Sequence, residues 1–474
     1  MGLSDYFTSF STKFWEKLRL PQRISHDLIW GLMVGIAASL SSTSAALMLQ
    51  DWRRKKAMQR IPPRPIELRS DEIVSGVVGL IGIRRATIHI YISVDELGTG
   101  NTPLLRINSL SDALGVEILG KAEFLNPGGS VKDRVALQII EDAEAQGLLH
   151  PNTGSVLFEG TVGSTGISLA TVGKAKGYEC YIIMPDDVAI EKVQVLEKLE
   201  AKVERVKPAS IVDQKQNLAR RRALDFGKTK LTNTPSHSED VAVSTFAEPS
   251  EVEHTTIFHS SFEHKPRGFF ADQFENESNF KAHYRGTGPE ILRQTNGRLD
   301  AFVSGAGTGG TIAGIGSFLK KPLPNLIVAL SDPEGSGLFN KVKYNVMFDP
   351  KESEGKKRRH QVDTVVEGIG INRITHNFSL GLPVIDTAYR VSDAEAVAMS
   401  RFLVQHDGLF LGSSSACNLV ACIHVAKTIK RGSRIVTILC DSGSRHQSKF
   451  WSDDYLNANG IPIDQSIIER LLKP

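Results

Sequence analysis

Six short β-rich runs, each followed by a glycine-rich turn and a helix-forming segment, constrain this chain more than any other feature: Val116–Phe124, Ser155–Phe158, Tyr181–Met184, Ala301–Val303, Leu326–Leu330 and Arg434–Leu439. Strands that alternate with helices pair in parallel, because each helix carries the chain back across a face of the sheet. From Glu67 onward an α/β architecture is therefore expected. Ligands in such sheets bind beyond the carboxyl ends of the strands, so chemistry should be sought in the strand-to-helix turns.

The first unusual turn is Asn126-Pro127-Gly128-Gly129-Ser130-Val131-Lys132-Asp133-Arg134. Proline and two glycines make it tight, Ser130 can cap, and a helix is expected from about Val131 to Gly147. The positive end of the helix dipole should lower the ammonium pKa of Lys132, as suits an amine that attacks a carbonyl. On this turn alone, a solvated lysine at an exposed helix start is the simpler reading. The second turn, Glu159-Gly160-Thr161-Val162-Gly163-Ser164-Thr165-Gly166, leads into a helix over Ile167–Gly177. Its hydroxyls and N–H groups make a nest for a carboxylate or phosphate.

The third turn, Gly305-Ala306-Gly307-Thr308-Gly309-Gly310-Thr311, precedes a helix over Ile312–Leu319 and forms a phosphate cradle. It also satisfies G-x-G-x-x-G through Gly305, Gly307 and Gly310, with Asp332 about 20 residues on, as a nicotinamide site requires. These residues by themselves support a dehydrogenase equally well. The combination separates the readings. A hydroxyl-rich turn, Gly412-Ser413-Ser414-Ser415-Ala416, opens another helix. An amine, a phosphate cradle, a carboxylate nest and a serine cluster together are the parts that hold pyridoxal 5'-phosphate and an amino acid.

Asn126–Arg134 resembles the lysine motif of the cysteine synthase (O-acetylserine sulfhydrylase) and cystathionine β-synthase family, within the fold type II pyridoxal-phosphate enzymes. Glu159–Gly166, Gln273-Phe274-Glu275-Asn276, Thr287-Gly288-Pro289-Glu290, Gly307–Thr311, Glu367-Gly368-Ile369-Gly370 and Gly412–Ala416 also match, from about Ile73 to Asp454. The resemblance implies a tryptophan-synthase-β-like fold of two three-layer αβα subdomains with the cofactor between them, in a homodimer. It implies that Lys132 forms the Schiff base and then removes the substrate's α-proton. Gly307, Thr308, Gly309, Gly310 and Thr311 would hold the phosphate, Ser164 the ring hydroxyl and Ser414 the pyridine nitrogen. Thr161, Gly163, Thr165 and Gln273 would hold the substrate carboxylate. The reaction implied is β-replacement through an α-aminoacrylate, making L-cysteine from O-acetylserine and sulfide. A serine-using cystathionine β-synthase and a silent membrane-tethered cofactor-binding protein are the alternatives. Two residues depart from the family: Ser164 stands where Asn is usual, and Ala416 replaces Gly, adding a methyl expected near the ring.

Composition excludes other classes. With 56 Lys+Arg against 53 Asp+Glu the formal charge is only +3, and no basic-aromatic stripe marks a nucleic-acid binder. The four cysteines form no C-x-x-C pair and no zinc spacing with histidine, so neither a metal site nor a disulfide framework is expected.

Ahead of the α/β body, after a basic tail over 1–27, Leu28–Leu49 is 22 residues without charge. As a helix it would reach about 33 Å, enough to cross a bilayer core. Basic residues flank it, most densely downstream at Arg53, Arg54, Lys55, Lys56, Arg60 and Arg64, which favours a cytosolic catalytic body. Tyr6 spoils a myristoylation signal after Gly2, and Asp5, Glu16 and Asp27 are unlike a mitochondrial presequence. A single-span anchor in the mitochondrial outer membrane is expected, with the endoplasmic reticulum as alternative and a buried helix as the plainer reading. A linker over 50–66 follows, and then the catalytic domain over 67–474.

Inside that domain, Ile83–Gly100 interrupts the family pattern, which rejoins cleanly on both sides. It is either a surface insertion or a retained intron in the gene model, and the clean rejoining favours the second. Lys228–Lys265 and Glu352–His360 read as solvated loops.

Overall fold

The alternation of strands and helices resolves into two sheets, one of six strands and one of four. The computed structural model describes residues 100–207, 217–231, 265–348 and 364–473, together with Trp30, Gly31, Met33, Met48 and Leu49. The chain divides into two units, Met1–Pro62 and Pro63–Pro474. In the first, the five described residues are helical and exposed. The expected anchor Leu28–Leu49 otherwise lies outside the described residues, among which no helix is long and apolar enough to cross a membrane. The interruption over 83–99 and the segments 232–264 and 349–363 also lie outside them.

In the second unit the strands are β1 (Leu104–Arg106), β2 (Glu117–Ala122), β3 (Val156–Gly160), β4 (Glu179–Pro185), β5 (Lys202–Val206), β6 (Gly268–Phe270), β7 (Ala301–Gly305), β8 (Ile327–Pro333), β9 (Thr387–Val391) and β10 (Arg434–Leu439). The larger sheet has the order β1-β2-β10-β7-β8-β9, parallel except for β1, which runs antiparallel to β2. The smaller has the order β5-β4-β3-β6 and is wholly parallel. Central strands covered on both faces read as near-continuous apolar runs. β3 and β7 are accordingly buried along their whole length.

Each sheet has its own core. Helices Asp393–Asp407 and Ser413–Ala426 pack their buried residues with the larger sheet, around Val303, Ala329, Leu419 and Ile435. Helices Lys132–Ala145 and Ser164–Ala175 do the same with the smaller, around Ile139, Leu157, Leu169 and Ile182. The chain leaves the larger sheet after β2, through the lysine turn, and returns to it at β7. The lysine turn is thus the crossing between the two halves.

Several boundaries differ from expectation for local reasons. The helix expected from Ile167 begins at Ser164, so two hydroxyl residues of the nest lie in its first turn. That expected from Ile312 begins at Gly310. Lys228–Leu231, expected in a loop, are the last turn of helix Leu218–Leu231, whose buried Ala219 and Ala223 belong to a small core with Val156 and Phe270.

Candidate active site

Turns from both halves line one cavity of about 230 Å³, which brings together Lys132, Thr161, Ser164, Thr165, Gln273, Gly307, Thr308, Gly309, Thr311 and Ser414. Gly163 and Gly310 lie within the turns that bear these residues. Ala416 does not reach the cavity: it is fully buried in the larger core with its N–H on the Gly412 carbonyl at 3.2 Å. The methyl expected near the ring is therefore a packing group.

Lys132 is the first residue of its helix, half-buried, with its N–H donating to Ser130 Oγ at 3.3 Å. Burial is the chief cause that lowers its ammonium pKa, opposed by Cys440 and Asp441. The shift has the expected direction, and desolvation is its chief cause. The turn is pinned by polar residues of its own motif and their buried partners. Asn126 Nδ2 donates to Glu123 Oε2 at 2.7 Å and to the Ser130 carbonyl at 3.1 Å. Asp133 accepts the Gly128 N–H at 2.5 Å and the Ser168 hydroxyl at 2.5 Å, tying the lysine turn to the neighbouring helix. Behind it, Arg134 bonds Glu123 and Glu290, and Lys121 bonds Glu290, in a fully buried cluster.

In the second turn Gly163 has φ +125°, and a Cβ there would lie 2.5 Å from Lys192 Cδ, so a side chain is excluded twice over. The Gly163 N–H donates to Thr161 Oγ1 at 3.1 Å. Gln273 Nε2 donates to the Gly160 carbonyl at 3.0 Å while its Oε1 accepts from Thr165. Lys192, almost wholly buried, pairs with Glu367, which Lys449 also meets at 3.1 Å. Burial opposes the charge on Glu367, yet Lys192, His446 and Lys449 hold its pKa down at about 2. This link joins helix Ile190–Lys198, which packs against Gly163 of the second turn, to the Glu367–Gly370 loop. Sequence reasoning assigned no role to Lys192, Lys449, Cys440 or Asp441, and only the fold brings them to the cavity.

The third turn fits a phosphate. Gly309 has φ +87°, and a Cβ there would sit 2.5 Å from Phe378 Cα, so only bare backbone can follow this path. Helix Gly310–Leu319 starts from it with N–H groups that have no partner inside the helix. Thr308 Oγ1 accepts from Asn279 Nδ2 at 2.8 Å, and the Thr308 carbonyl accepts from Thr375 at 2.7 Å. Asp332, the acid a nicotinamide site would need, is buried and accepts the Phe339 N–H at 2.7 Å, beside helix Leu338–Tyr344. The dinucleotide reading loses its ribose partner.

Ser414 is the second residue of helix Ser413–Ala426, and its hydroxyl bonds the Cys440 thiol, which burial pushes up to about 11. Ser413 Oγ accepts the Glu367 N–H at 3.1 Å and Ser415 Oγ the Cys440 N–H at 2.8 Å. Of the serine cluster, Ser414 alone lines the cavity. A half-buried amine, an anion cradle, a carboxylate nest and a neutral hydroxyl in one cavity fit pyridoxal phosphate with an amino acid. The family model described as pyridoxal-phosphate dependent enzyme matches residues 96–441.

The chain belongs to the pyridoxal-phosphate dependent enzyme family.

Relatives within this family are close. Cysteine synthase 2 of Emericella nidulans is 56% identical over 354 residues, covering 74% of this chain and 78% of that one. A Saccharomyces cerevisiae protein, provisionally named a mitochondrial cysteine synthase, is 50% identical over 380 residues, covering 79% and 87%. Among solved structures, the O-acetylserine dependent cystathionine β-synthase of Helicobacter pylori superposes with TM-score 0.56 at 27% identity, covering 76% of this chain and 99% of that one. The protein is a pyridoxal-phosphate dependent enzyme with the family's fold.

Proposed function

We propose that this enzyme makes L-cysteine from O-acetyl-L-serine and sulfide. The observation that carries the reading is the meeting of Lys132, the Thr161–Thr165 nest and the Gly307–Thr311 cradle in one cavity. Relatives at 50–56% identity that bear the name cysteine synthase support it. In the overall reaction the Cβ–O bond of O-acetylserine breaks and acetate leaves with the bonding pair. A Cβ–S bond then forms from sulfide.

Pyridoxal phosphate, when bound, supplies an aldehyde that condenses with amines and a ring that spreads charge from the substrate's α-carbon. Lys132 Nζ is the amine that would hold the cofactor, and it would serve as the base that takes the Cα proton and returns it. Its lowered pKa keeps the base form available. The N–H groups of Gly307–Thr311 and the hydroxyls of Thr308 and Thr311 would hold the phosphate. Ser414 would offer the pyridine nitrogen a neutral hydroxyl, a partner that does not keep the ring protonated and so would suit elimination. Ser164 would face the ring hydroxyl. Thr161, Gly163 and Thr165 orient the substrate carboxylate, and Gln273 holds Thr165 in place.

The test is product analysis on the full chain supplied with pyridoxal phosphate. Cysteine formed from O-acetylserine and sulfide, and lost in Lys132→Ala, supports the reading. Product from serine and homocysteine alone would replace it with the cystathionine-type reaction.

We further propose that Leu28–Leu49 anchors the enzyme in the mitochondrial outer membrane with the catalytic body in the cytosol. Its length, its basic flanks and the name of the yeast relative support this. Protein that stays in the membrane pellet after carbonate washing of mitochondria, with its body cleaved by added protease, is the expected result. Release by carbonate would refute it. A homodimer comes with the family resemblance, and light scattering of detergent-solubilised protein tests it.

A further inference from the structure

Two polar side chains lie directly behind the phosphate cradle, and the assigned chemistry uses neither. Asn279 and His283 stand four residues apart on the helical segment Ser278–Thr287, whose second half, His283–Thr287, is a π-helical turn. Asn279 Nδ2 meets Thr308 Oγ1 at 2.8 Å, and His283 Nε2 meets Thr311 Oγ1 at 3.1 Å. The other ring nitrogen, His283 Nδ1, meets Thr287 Oγ1 at 3.0 Å. His283 is fully buried and does not line the cavity, whereas Thr308 and Thr311 do.

A neutral imidazole has one N–H, so this chain of contacts can run in two directions. In one, Nδ1–H donates to Thr287 and Nε2 accepts the Thr311 proton, which is then spent away from the cavity. In the other, Thr287 donates to Nδ1, Nε2–H donates to Thr311, and the Thr311 proton stays free to point forward. A phosphate can only accept here, so it pairs with the second arrangement. Asn279 acts in the same sense, since its N–H reaches Thr308 Oγ1 from behind. The imidazolium form, a donor at both nitrogens, is strongly disfavoured: burial first, then the charges of Lys132 and Arg134, lower the His283 pKa to about 3, with Glu123 and Glu290 opposing.

We propose that His283 is a positioning residue for the cofactor phosphate, held by Thr287 as the Nε2–H tautomer so that the Thr311 hydroxyl donates into the cradle. This rests on the pyridoxal-phosphate reading of the cavity. Thr287, four residues after His283 and so on the same helical face, meets Nδ1 while Nε2 faces the loop.

The test uses the full chain, with the dissociation constant of pyridoxal phosphate and the phosphorus NMR resonance of the bound phosphate as readouts. His283→Phe should weaken cofactor binding about tenfold, the loss of roughly one hydrogen bond's worth, and move the resonance. His283→Gln, which can still present an N–H to Thr311, should restore most of the affinity. In a Thr311→Val background His283→Phe should cost nothing further, because the partner it acts through is gone. Thr287→Val, which removes the donor to Nδ1, should weaken binding a few-fold and serves where His283→Phe does not fold. Unchanged affinity and resonance in folded His283→Phe, or equal losses with Phe and Gln, would overturn the relay. A wild-type chain that takes up no pyridoxal phosphate would overturn the cofactor reading and the relay with it.

Discussion

The Thr165 hydroxyl donates to Gln273 Oε1 at 2.5 Å, tying the turn after β3 to the residues that follow β6. The neighbouring Gln273 Nε2 bond to the Gly160 carbonyl completes a clamp at the carboxyl ends of adjacent strands. The nest proposed for the substrate carboxylate is thereby held in shape by the protein's own bonds.

Replacing Gln273 by Leu strands the Thr165 hydroxyl and the Gly160 carbonyl in a buried place. A stability loss of about 1–3 kcal/mol is expected, together with a raised KM for O-acetylserine. Urea melts and initial-rate kinetics read both, and an unchanged KM would remove Gln273 from the substrate site.

Asp133 holds the Gly128 N–H and the Ser168 hydroxyl, so Asp133→Ala should loosen the lysine turn. About 1–3 kcal/mol of stability should go with the two lost partners, and kcat should fall more than KM rises because Lys132 loses its fixed base. A variant with wild-type kcat would show that the turn holds without this link.

Arg134→Met leaves Glu123 and Glu290 buried with their main cation removed. Breaking a buried pair on one side costs about 3–5 kcal/mol. Denaturant unfolding should show a loss of that order, and a loss well below 1 kcal/mol would mean that Lys121 and the hydrogen bonds of Thr102 and Asn126 suffice.

Acid stability should carry the mark of His283. Its pKa is about 3 in the folded protein against an ordinary 6.5. Below pH 6.5 the unfolded chain binds a proton that the folded chain refuses, so stability present above 6.5 is lost as the pH falls towards 3. Glu290 and Glu123, both held below the usual carboxylate range against the pull of burial, keep their charge through the upper part of that window. Between pH 6 and 5, His283→Gln should lose about 1 kcal/mol less stability than wild type. Equal losses would mean that His283 takes up its proton without penalty.

The strand-to-helix turns were legible in the sequence because their glycines, hydroxyls and lysine are local signals, and all three border the cavity as expected. β1, β5, β6 and β9 were not. β1 and β6 are only three residues long, and β5 and β9 are edge strands whose mixed polar sequences KVERV and TAYRV lack the apolar run of a central strand. Lys192, Asp441 and His283 carry no motif of their own. Their partners Glu367, His446 and Thr311 lie 175, 5 and 28 residues away, and only the packed fold reveals the pairings. Ala416 shows the opposite failure, a motif position whose side chain turns into the core.

The most direct measurement is where the cofactor attaches. The full chain, loaded with pyridoxal phosphate, is reduced with borohydride, digested and mapped by mass spectrometry. A pyridoxyl-phosphate mass on Lys132 alone is the expected result. Attachment at another lysine, or none in folded and saturated protein, would contradict the assignment of this cavity as the catalytic site.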